Sequence, residues 1–189
     1  MHHPDRLGPA IRGRLGKKRP RQTDLEAVIT LTGDPSLRTL VARVLDWDDA
    51  HVSLDKAVGN IPVELRGKRS PSAPHSCWEL LEHIRIAQHD ILDFCVNPKY
   101  EEMRWPADYW PSSPVPASSD AWNESVQQCK RDRVSLQALA NDPAIDLSDK
   151  IPHGSGQTYL RELLLVADHN AYHIGQLVLV RQMLGIWPS

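Results

Sequence analysis

Two histidines near the C-terminus, His169 and His173, are spaced to bind one metal ion. They are four residues apart in a segment that begins at Tyr159 and contains no helix-breaking residue before Gly185. On a helix, which turns about 100° per residue, both imidazoles lie on one face with their Cβ atoms roughly 5–6 Å apart. Such a pair can hold a divalent cation if another part of the fold supplies a third ligand. Chance spacing among nine histidines is the alternative explanation.

A third histidine, His83, lies on the apolar stripe of a second predicted helix that runs from about Cys77 to Val96. Ser76 is a suitable N-cap for this helix, and Glu79 three residues later completes a capping box. A single histidine on such a stripe is usually a core residue with a hydrogen-bond partner. Because the C-terminal pair also faces inward, three ligands for one metal ion become the preferred interpretation.

The pattern fits neither of two common metal motifs. A zinc-protease helix has the form His-Glu-x-x-His, but Asn170 follows His169 here. Di-iron bundles require two Glu-x-x-His units, whereas Glu79 and His83 are four residues apart and no second unit occurs. A mononuclear site with three neutral imidazoles and open coordination positions remains, and it suits Zn²⁺, Ni²⁺ or Fe²⁺. Such a centre lowers the pKa of a bound water or holds a thiolate nucleophile.

Two further polar residues are candidates for catalytic roles. The first predicted helix runs from Pro35 to about Gly59 and carries His51 near its inward stripe, between two aspartates. If this helix is antiparallel to the second, His51 lies at the depth of His83 as a general base, a fourth ligand or a partner of a ligand. A salt bridge at the surface edge is the alternative for His51. Gln176 is expected to hydrogen-bond either a metal-bound water or a neighbouring helix.

Four amphipathic helices must position these residues. The third predicted helix follows Ser118 and ends at Asn141, and the fourth is the segment that carries the histidine pair. Residues 98–118 contain five prolines and no helical or strand period, which marks a long connection. Their aromatic residues either seal one end of the bundle or line a substrate pocket: Tyr100, Trp105, Tyr109 and Trp110. The sequence therefore predicts an all-α fold, a four-helix bundle with a long crossover between helices 2 and 3.

Composition and charge limit the remaining function classes. Residues 1–23 contain seven basic residues and one acidic residue, and we expect a disordered tail rather than a nucleic-acid arm or a targeting segment. The domain, residues 24–189, has 15 basic and 23 acidic residues, which argues against nucleic-acid binding by the folded part. No run of about 18 apolar residues and no secretion signal is present, so no membrane association is predicted. Three widely spaced cysteines suit a reducing cytoplasm with free thiols.

The residues around the histidines resemble a known family. The stretches Trp78-Glu-Leu-Leu-Glu-His83 and His169-Asn-Ala-Tyr-His173-Ile-Gly-Gln176 are similar to the DinB/YfiT-like superfamily of bacterial metal-binding four-helix bundles, over roughly residues 36–185. The resemblance implies that these three histidines bind the metal, that a long connection joins the second and third helices, and that dimerisation is frequent. Members of known activity include thiol-dependent S-transferases, an isomerase of maleylpyruvate and hydrolase-like resistance proteins. Family membership alone does not fix the reaction.

We therefore expect a cytoplasmic, metal-dependent enzyme in which a thiol or water attacks a small electrophilic substrate, as in an S-transferase. The family resemblance alone favours a low-molecular-weight thiol as the partner and a homodimer as the assembly. One alternative is a stress-related protein that binds a metal or a small molecule without turnover. Another is a structural dimer whose histidines are only polar groups in the core.

Overall fold

The computed structural model describes residues 35–188, and this part of the chain is all-helical. Within it no strand forms, although an isolated antiparallel bridge joins Lys150 to Thr158. The predicted all-α class is confirmed, whereas the predicted tail, residues 1–23, lies outside the described residues. Five α-helices are present in the described range: α1 (Pro35–Val44), α2 (Leu54–Val58), α3 (Cys77–Val96), α4 (Ser119–Asn141) and α5 (Tyr159–Met183).

The long helices begin where the sequence provides hydrogen-bond acceptors for their first backbone N–H groups. The Ser76 hydroxyl accepts from the Glu79 N–H at 3.2 Å, and the Glu79 carboxylate accepts from the Ser76 N–H at 2.8 Å, so the predicted capping box forms. Ser118 and Thr158 cap α4 and α5 in the simpler way, through their hydroxyl oxygens. After α5 the chain turns at Gly185, whose φ of 70° is in the region that favours glycine.

The prediction of one continuous first helix to about Gly59 is wrong. Helix α1 ends at Val44, and an irregular loop of residues 45–53 precedes α2. Three of the four residues 46–49 are aspartates, a residue type that disfavours helix interiors because its side chain can compete with the backbone for hydrogen bonds; here Asp49 accepts from the Trp47 indole. Ser53 then caps a new helix, its hydroxyl accepting from the Lys56 N–H at 3.4 Å. The apolar period continues across this break, because both segments bury apolar side chains in the bundle, α1 in one cluster and α2 in another.

Two apolar clusters fill the bundle, in which α3 packs against α4 and α5, α1 against α4, and α2 against α5. One cluster includes Trp78 and Leu177 and lies beside α2, and the other includes Leu136 and Leu163 and lies beside α1. Each fully buried leucine stabilises the fold by about 1.5–3 kcal/mol. Along α3 and α5, polar side chains come between the two clusters. The buried ones include His83, Gln88, Asn170 and His173.

Two buried arginines fasten the short helices to the long ones. The guanidinium of Arg38 on α1 donates to the carbonyl oxygens of Ala140 at 3.1 Å and Asp142 at 2.9 Å, at the end of α4, where carbonyl groups lack partners within the helix. Arg181 on α5 donates in the same way to the carbonyl of Lys56 at 3.1 Å, and so holds the end of α2. None of the helices within residues 35–188 combines the length and the apolar character needed to cross a bilayer.

Candidate metal centre

Helices α3 and α5 bring the three predicted histidines together. One nitrogen from each of His83, His169 and His173 lies within 4.8 Å of the others. His83 and His173 are buried and His169 is half-buried. We call these three side chains the histidine cluster. It forms because α3 packs along α5, and because one helical turn separates the two histidines of α5.

Hydrogen bonds fix which nitrogen of two imidazoles faces the cluster. His83 Nδ1 is 2.7 Å from the carbonyl oxygen of Tyr109, and His173 Nδ1 is 2.8 Å from Gln176 Oε1. An oxygen of either kind can only accept, so each Nδ1 carries the hydrogen. In the neutral ring the Nε2 atom then has a free lone pair. This is the arrangement found for metal-binding histidines, whose second nitrogen donates to a carbonyl or a side-chain oxygen.

The third imidazole has an incomplete set of partners. His169 Nε2 lies 3.1 Å from His83 Nε2, and His169 Nδ1 is buried with no hydrogen-bond partner. If His169 carries its hydrogen on Nδ1, that donor is unsatisfied and two lone pairs face each other. If the hydrogen is on Nε2, the buried Nδ1 acceptor is unsatisfied. A cation shared by the facing nitrogens removes the lone-pair repulsion. The geometry of the cluster is therefore better explained by a metal site than by hydrogen bonds among the three imidazoles alone.

The pKa values of all three imidazoles are lowered, because burial disfavours the charged ring. The pKa of His169 falls to about 4, and the neighbouring imidazoles add to the effect of burial. The pKa of His173 also falls to about 4, although its hydrogen bond to Gln176 opposes the shift. For His83 the shift is in the same direction, and the hydrogen bond to Tyr109 opposes it. At neutral pH the cluster therefore offers three uncharged nitrogen ligands.

Two residues of this site make contacts that the sequence analysis did not predict: Trp110, which it named only as an aromatic residue of the crossover, and His75. The Trp110 ring stacks on His83, with ring centroids 3.9 Å apart and planes inclined by 2°. On its other side His75 stacks at 4.1 Å, so Trp110 lies between two imidazoles and fixes the plane of His83. For Trp110, the only signal in the sequence was the aromatic content of residues 98–118. That segment has no period from which a contact with α3 could be inferred.

A cavity of about 590 Å³ opens beside the histidine cluster. His169 forms part of its wall, together with side chains from α3, α5 and the two long connections. Three of the aromatic residues of the crossover line it, namely Tyr100, Trp105 and Tyr109. Of the two roles considered for the crossover aromatics, sealing the bundle or lining a pocket, these three residues have the second. Trp110 instead packs against His75 and His83. The volume is in the range of small-molecule sites.

The match to known families agrees with this geometry. The family model of the DinB superfamily matches residues 46–177, which is more than half of the chain and includes all three histidines. The chain belongs to the DinB superfamily. No curated protein and no solved structure matches it. The all-helical structure is consistent with a DinB-like bundle, and DinB-like proteins are metal-binding.

For this DinB protein the structure gives Gln176 a definite contact. Its side-chain oxygen accepts from His173 on the same helix, and so orients a ligand of the cluster. The interhelical hydrogen bond that was the alternative is not the contact observed. A hydrogen bond from Gln176 to a metal-bound water stays a prediction.

His51 is not brought together with the histidine cluster. It is exposed in the loop before α2, its Nδ1 is 2.9 Å from the carbonyl of Val52, and it lines a separate small cavity with Gln88 and Asn170. The argument for equal depth with His83 required a continuous first helix, and that helix ends at Val44. The catalytic role of His51 therefore has no geometric support and stays a prediction from sequence.

The cysteines contribute no nucleophile to the site. Cys77, Cys95 and Cys129 are free and buried. Burial raises the pKa of Cys77 to about 11 and the pKa values of the other two to about 12. At neutral pH all three are protonated thiols packed in the core, and a protonated thiol is a weak nucleophile. A thiol that takes part in a reaction must therefore come from another molecule.

Proposed function

We propose that this protein is a metal-dependent enzyme in which His83, His169 and His173 hold one divalent cation. The observation that carries the proposal is the histidine cluster itself, with its facing Nε2 atoms beside a cavity of substrate size. Three neutral nitrogen ligands suit Zn²⁺, Ni²⁺ or Fe²⁺ and leave positions for a further ligand. Zn²⁺ is the first ion to test, because it binds such sites without a redox requirement.

The reaction that we propose is attack by a thiol or by water on a small electrophile. A bound divalent cation lowers the pKa of a coordinated thiol or water, and so supplies a nucleophile near neutral pH. The chain's own residues orient the ligand imidazoles through Tyr109 and Gln176, and the cavity beside His169 holds the electrophile. In transfer from a thiol, a new bond forms to sulfur, the leaving group departs and the thiol proton goes to solvent. The buried state of the cysteines favours a low-molecular-weight thiol as co-substrate.

Elemental analysis tests the metal proposal. We expect purified protein to contain about one equivalent of metal per chain, and His173→Ala to contain little or none. The matched control is His89→Ala, since His89 lies on α3 but is exposed and pairs with Asp132 at 3.2 Å. It should keep its metal. Wild-type protein without stoichiometric metal after reconstitution would leave only the structural interpretation of the histidines.

A second candidate function, in a different class, is a binding protein without turnover. One observation favours it: the carboxylate of Asp90 in the cavity accepts hydrogen bonds on both oxygens, so it is a poor general base. Turnover of an electrophile such as 1-chloro-2,4-dinitrobenzene or monochlorobimane with a panel of bacterial thiols separates the two functions. An enzyme releases product over many cycles, whereas a binding protein saturates at one equivalent.

A cytoplasmic homodimer is the assembly that we propose. The outer face of α5 supports it, because Leu164, Tyr172, Leu179 and Met183 are large apolar side chains exposed there. Free thiols are consistent with a reducing compartment. Light scattering after size-exclusion chromatography should give twice the chain mass. A monomer at micromolar concentration would contradict the dimer and leave the metal proposal unaffected.

A further inference from the structure

We infer that the cavity beside the histidine cluster receives a cationic group of an organic substrate, such as an amine or a quaternary ammonium, and that Asp90 is its partner. The inference rests on the proposed function only for the reaction at the metal end. The binding of the cationic group depends on other residues. They lie on α3 and on the crossover, and we call them the aromatic acidic pocket: Asp90, Phe94, Tyr100, Glu102, Trp105 and Tyr109.

The carboxylate of Asp90 is held in place by two phenols. The hydroxyl of Tyr100 donates to Asp90 Oδ1 at 3.0 Å, and the hydroxyl of Tyr109 donates to Asp90 Oδ2 at 2.6 Å. Burial and the contact with Asp90 raise the pKa of Tyr100 to about 12 and the pKa of Tyr109 further, so both hydroxyls remain donors. Each carboxylate oxygen has two lone pairs, so both can accept another hydrogen bond. The result is a fixed negative charge on the wall of a cavity.

In the part of the chain that the structure describes, no basic side chain is paired with that charge. Among the ion pairs of residues 35–188, none joins Asp90 to a lysine, an arginine or a histidine. The arginine that lines the cavity, Arg161, is paired with Glu162. Glu102 adds a second negative charge close enough to raise the pKa values of both tyrosines. An anionic substrate would therefore be repelled, whereas a cation would neutralise the pocket.

Aromatic rings form the rest of the wall. Phe94 meets Tyr100 edge to face with centroids 5.1 Å apart, and Trp105 meets Tyr109 at the same distance. Trp105 is 71% exposed, which leaves much of its ring free at the mouth of the cavity. Aromatic faces attract cations through the ring quadrupole. A carboxylate surrounded by such faces is the combination that recognises alkylammonium groups.

The helix gives the length of such a substrate. Asp90 follows His83 by seven residues on α3, so the two side chains lie on the same face and about 10 Å apart along the axis. The cationic group and the reacting group must fit within that span. Amino-alkyl compounds and trimethylammonium compounds with a few bonds between the two groups meet this requirement.

The test uses the full-length, zinc-loaded protein and two probes of equal shape. Choline carries a positive charge, and 3,3-dimethylbutan-1-ol replaces its nitrogen by carbon. By isothermal titration calorimetry we expect choline to bind at least tenfold more tightly. Asp90→Asn should reduce that preference to less than threefold, whereas Glu124→Gln, which removes an exposed acid outside the cavity, should preserve it. Equal affinity of the two probes for wild-type protein would overturn the inference, as would an unchanged preference in Asp90→Asn.

A second variant guards against misfolding of Asp90→Asn. Trp105 is exposed, so Trp105→Leu should fold normally and weaken choline binding about two- to fivefold with little effect on the uncharged probe. Equal weakening of both probes would count against the cationic site. Zinc content is measured in every sample, and the titration is repeated on metal-free protein. If metal-free protein still prefers choline, the cationic site is supported even if the metal proposal fails. If the protein binds one equivalent of zinc but does not prefer choline, the metal proposal is supported and the cationic site is contradicted.

Discussion

Helices α3 and α5 bury two neighbouring clusters of polar side chains, which differ in how their hydrogen-bond donors and acceptors are paired. The first is the histidine cluster. The second is an amide pair, Gln88 and Asn170, in which Asn170 Nδ2 donates to Gln88 Oε1 at 2.8 Å and Gln88 Nε2 donates to the carbonyl of Cys129 at 2.7 Å. The amide pair alternates donors and acceptors, and only the Asn170 oxygen lacks a partner.

The histidine cluster has no such alternation. Two Nε2 atoms face each other, and the two hydrogens that are fixed, on His83 and His173, point away from the centre. Adjacent residues, His169 and Asn170, thus belong to sites with opposite chemistry. The amide pair joins three helices through hydrogen bonds of its own, whereas the cluster leaves nitrogens at its centre without a hydrogen-bond partner of complementary kind. Burial alone does not mark a functional site, and the direction of the lone pairs distinguishes the two.

The largest difference should appear when metal is added. Zn²⁺ at about 100 times its Kd should stabilise wild-type protein by about 2.7 kcal/mol, which raises Tm by roughly 5–10 °C for a domain of this size. His83→Ala should abolish the rise, because it removes one of the three nitrogens. Gln88→Leu should show the full rise from a lower starting Tm. Differential scanning fluorimetry measures all three, and loss of the rise in Gln88→Leu would show that the two polar groups are not independent.

Breaking the amide pair should instead lower stability. In Gln88→Leu the carbonyl of Cys129 and the amide of Asn170 lose their partners in a buried position. We expect the free energy of unfolding in urea to fall by about 1–3 kcal/mol, with metal content unchanged. A drop in bound zinc as large as that of a histidine variant would contradict the separation.

A smaller effect is expected from the oxygen that orients His173. Gln176→Leu removes the acceptor for His173 Nδ1, so metal affinity should fall about tenfold, while Gln176→Glu, which keeps an acceptor, should retain most of it. Gln182→Leu, at an exposed position on the same helix, is the matched control. Competition with a zinc indicator dye measures the affinity. Equal affinities for the Leu variants at both positions would leave Gln176 without a role in orienting the ligand.

A pH dependence of the metal-free fold is also expected. The pKa values of His169 and His173 lie near 4 in the folded protein and near 6.5 when unfolded, so the unfolded state binds more protons between these values. Stability should therefore decrease as pH falls below about 6.5, and it should not depend on these groups above about pH 7. The urea midpoint of metal-free protein at pH 7.5 and 5.5 checks this. His169→Gln should show a weaker decrease, and an equal decrease would assign the pH dependence to other residues.

The parts of the site on long helices could be predicted from the sequence, because in a regular helix the sequence spacing of two residues determines whether their side chains lie on the same face. The three histidines, the capping box and the all-α class follow from that regularity. The break after Val44 could not be predicted in the same way, because both flanking segments keep the apolar period while the aspartates interrupt the backbone. His51 was misplaced by that error alone.

The contacts of the crossover could not be predicted either. Tyr109 and Trp110 reach the histidine cluster from an irregular segment, and no spacing rule relates them to α3. Their aromatic character indicated packing or a pocket, and their partners depend on the path of the chain in three dimensions. The position of Asp90 on the face of His83 was visible in the sequence, but its two tyrosine partners were not.

Tyr109 has one attachment at each end of the cavity. Its carbonyl oxygen holds the His83 ring, and its hydroxyl holds Asp90. A cationic ligand bound at Asp90, as proposed above, would also act through this one residue on the His83 ring of the proposed metal site. Ligand binding at Asp90 and metal binding at the histidine cluster would then be coupled. If the ligand raises the affinity for the ion by some factor, the ion must raise the affinity for the ligand by the same factor.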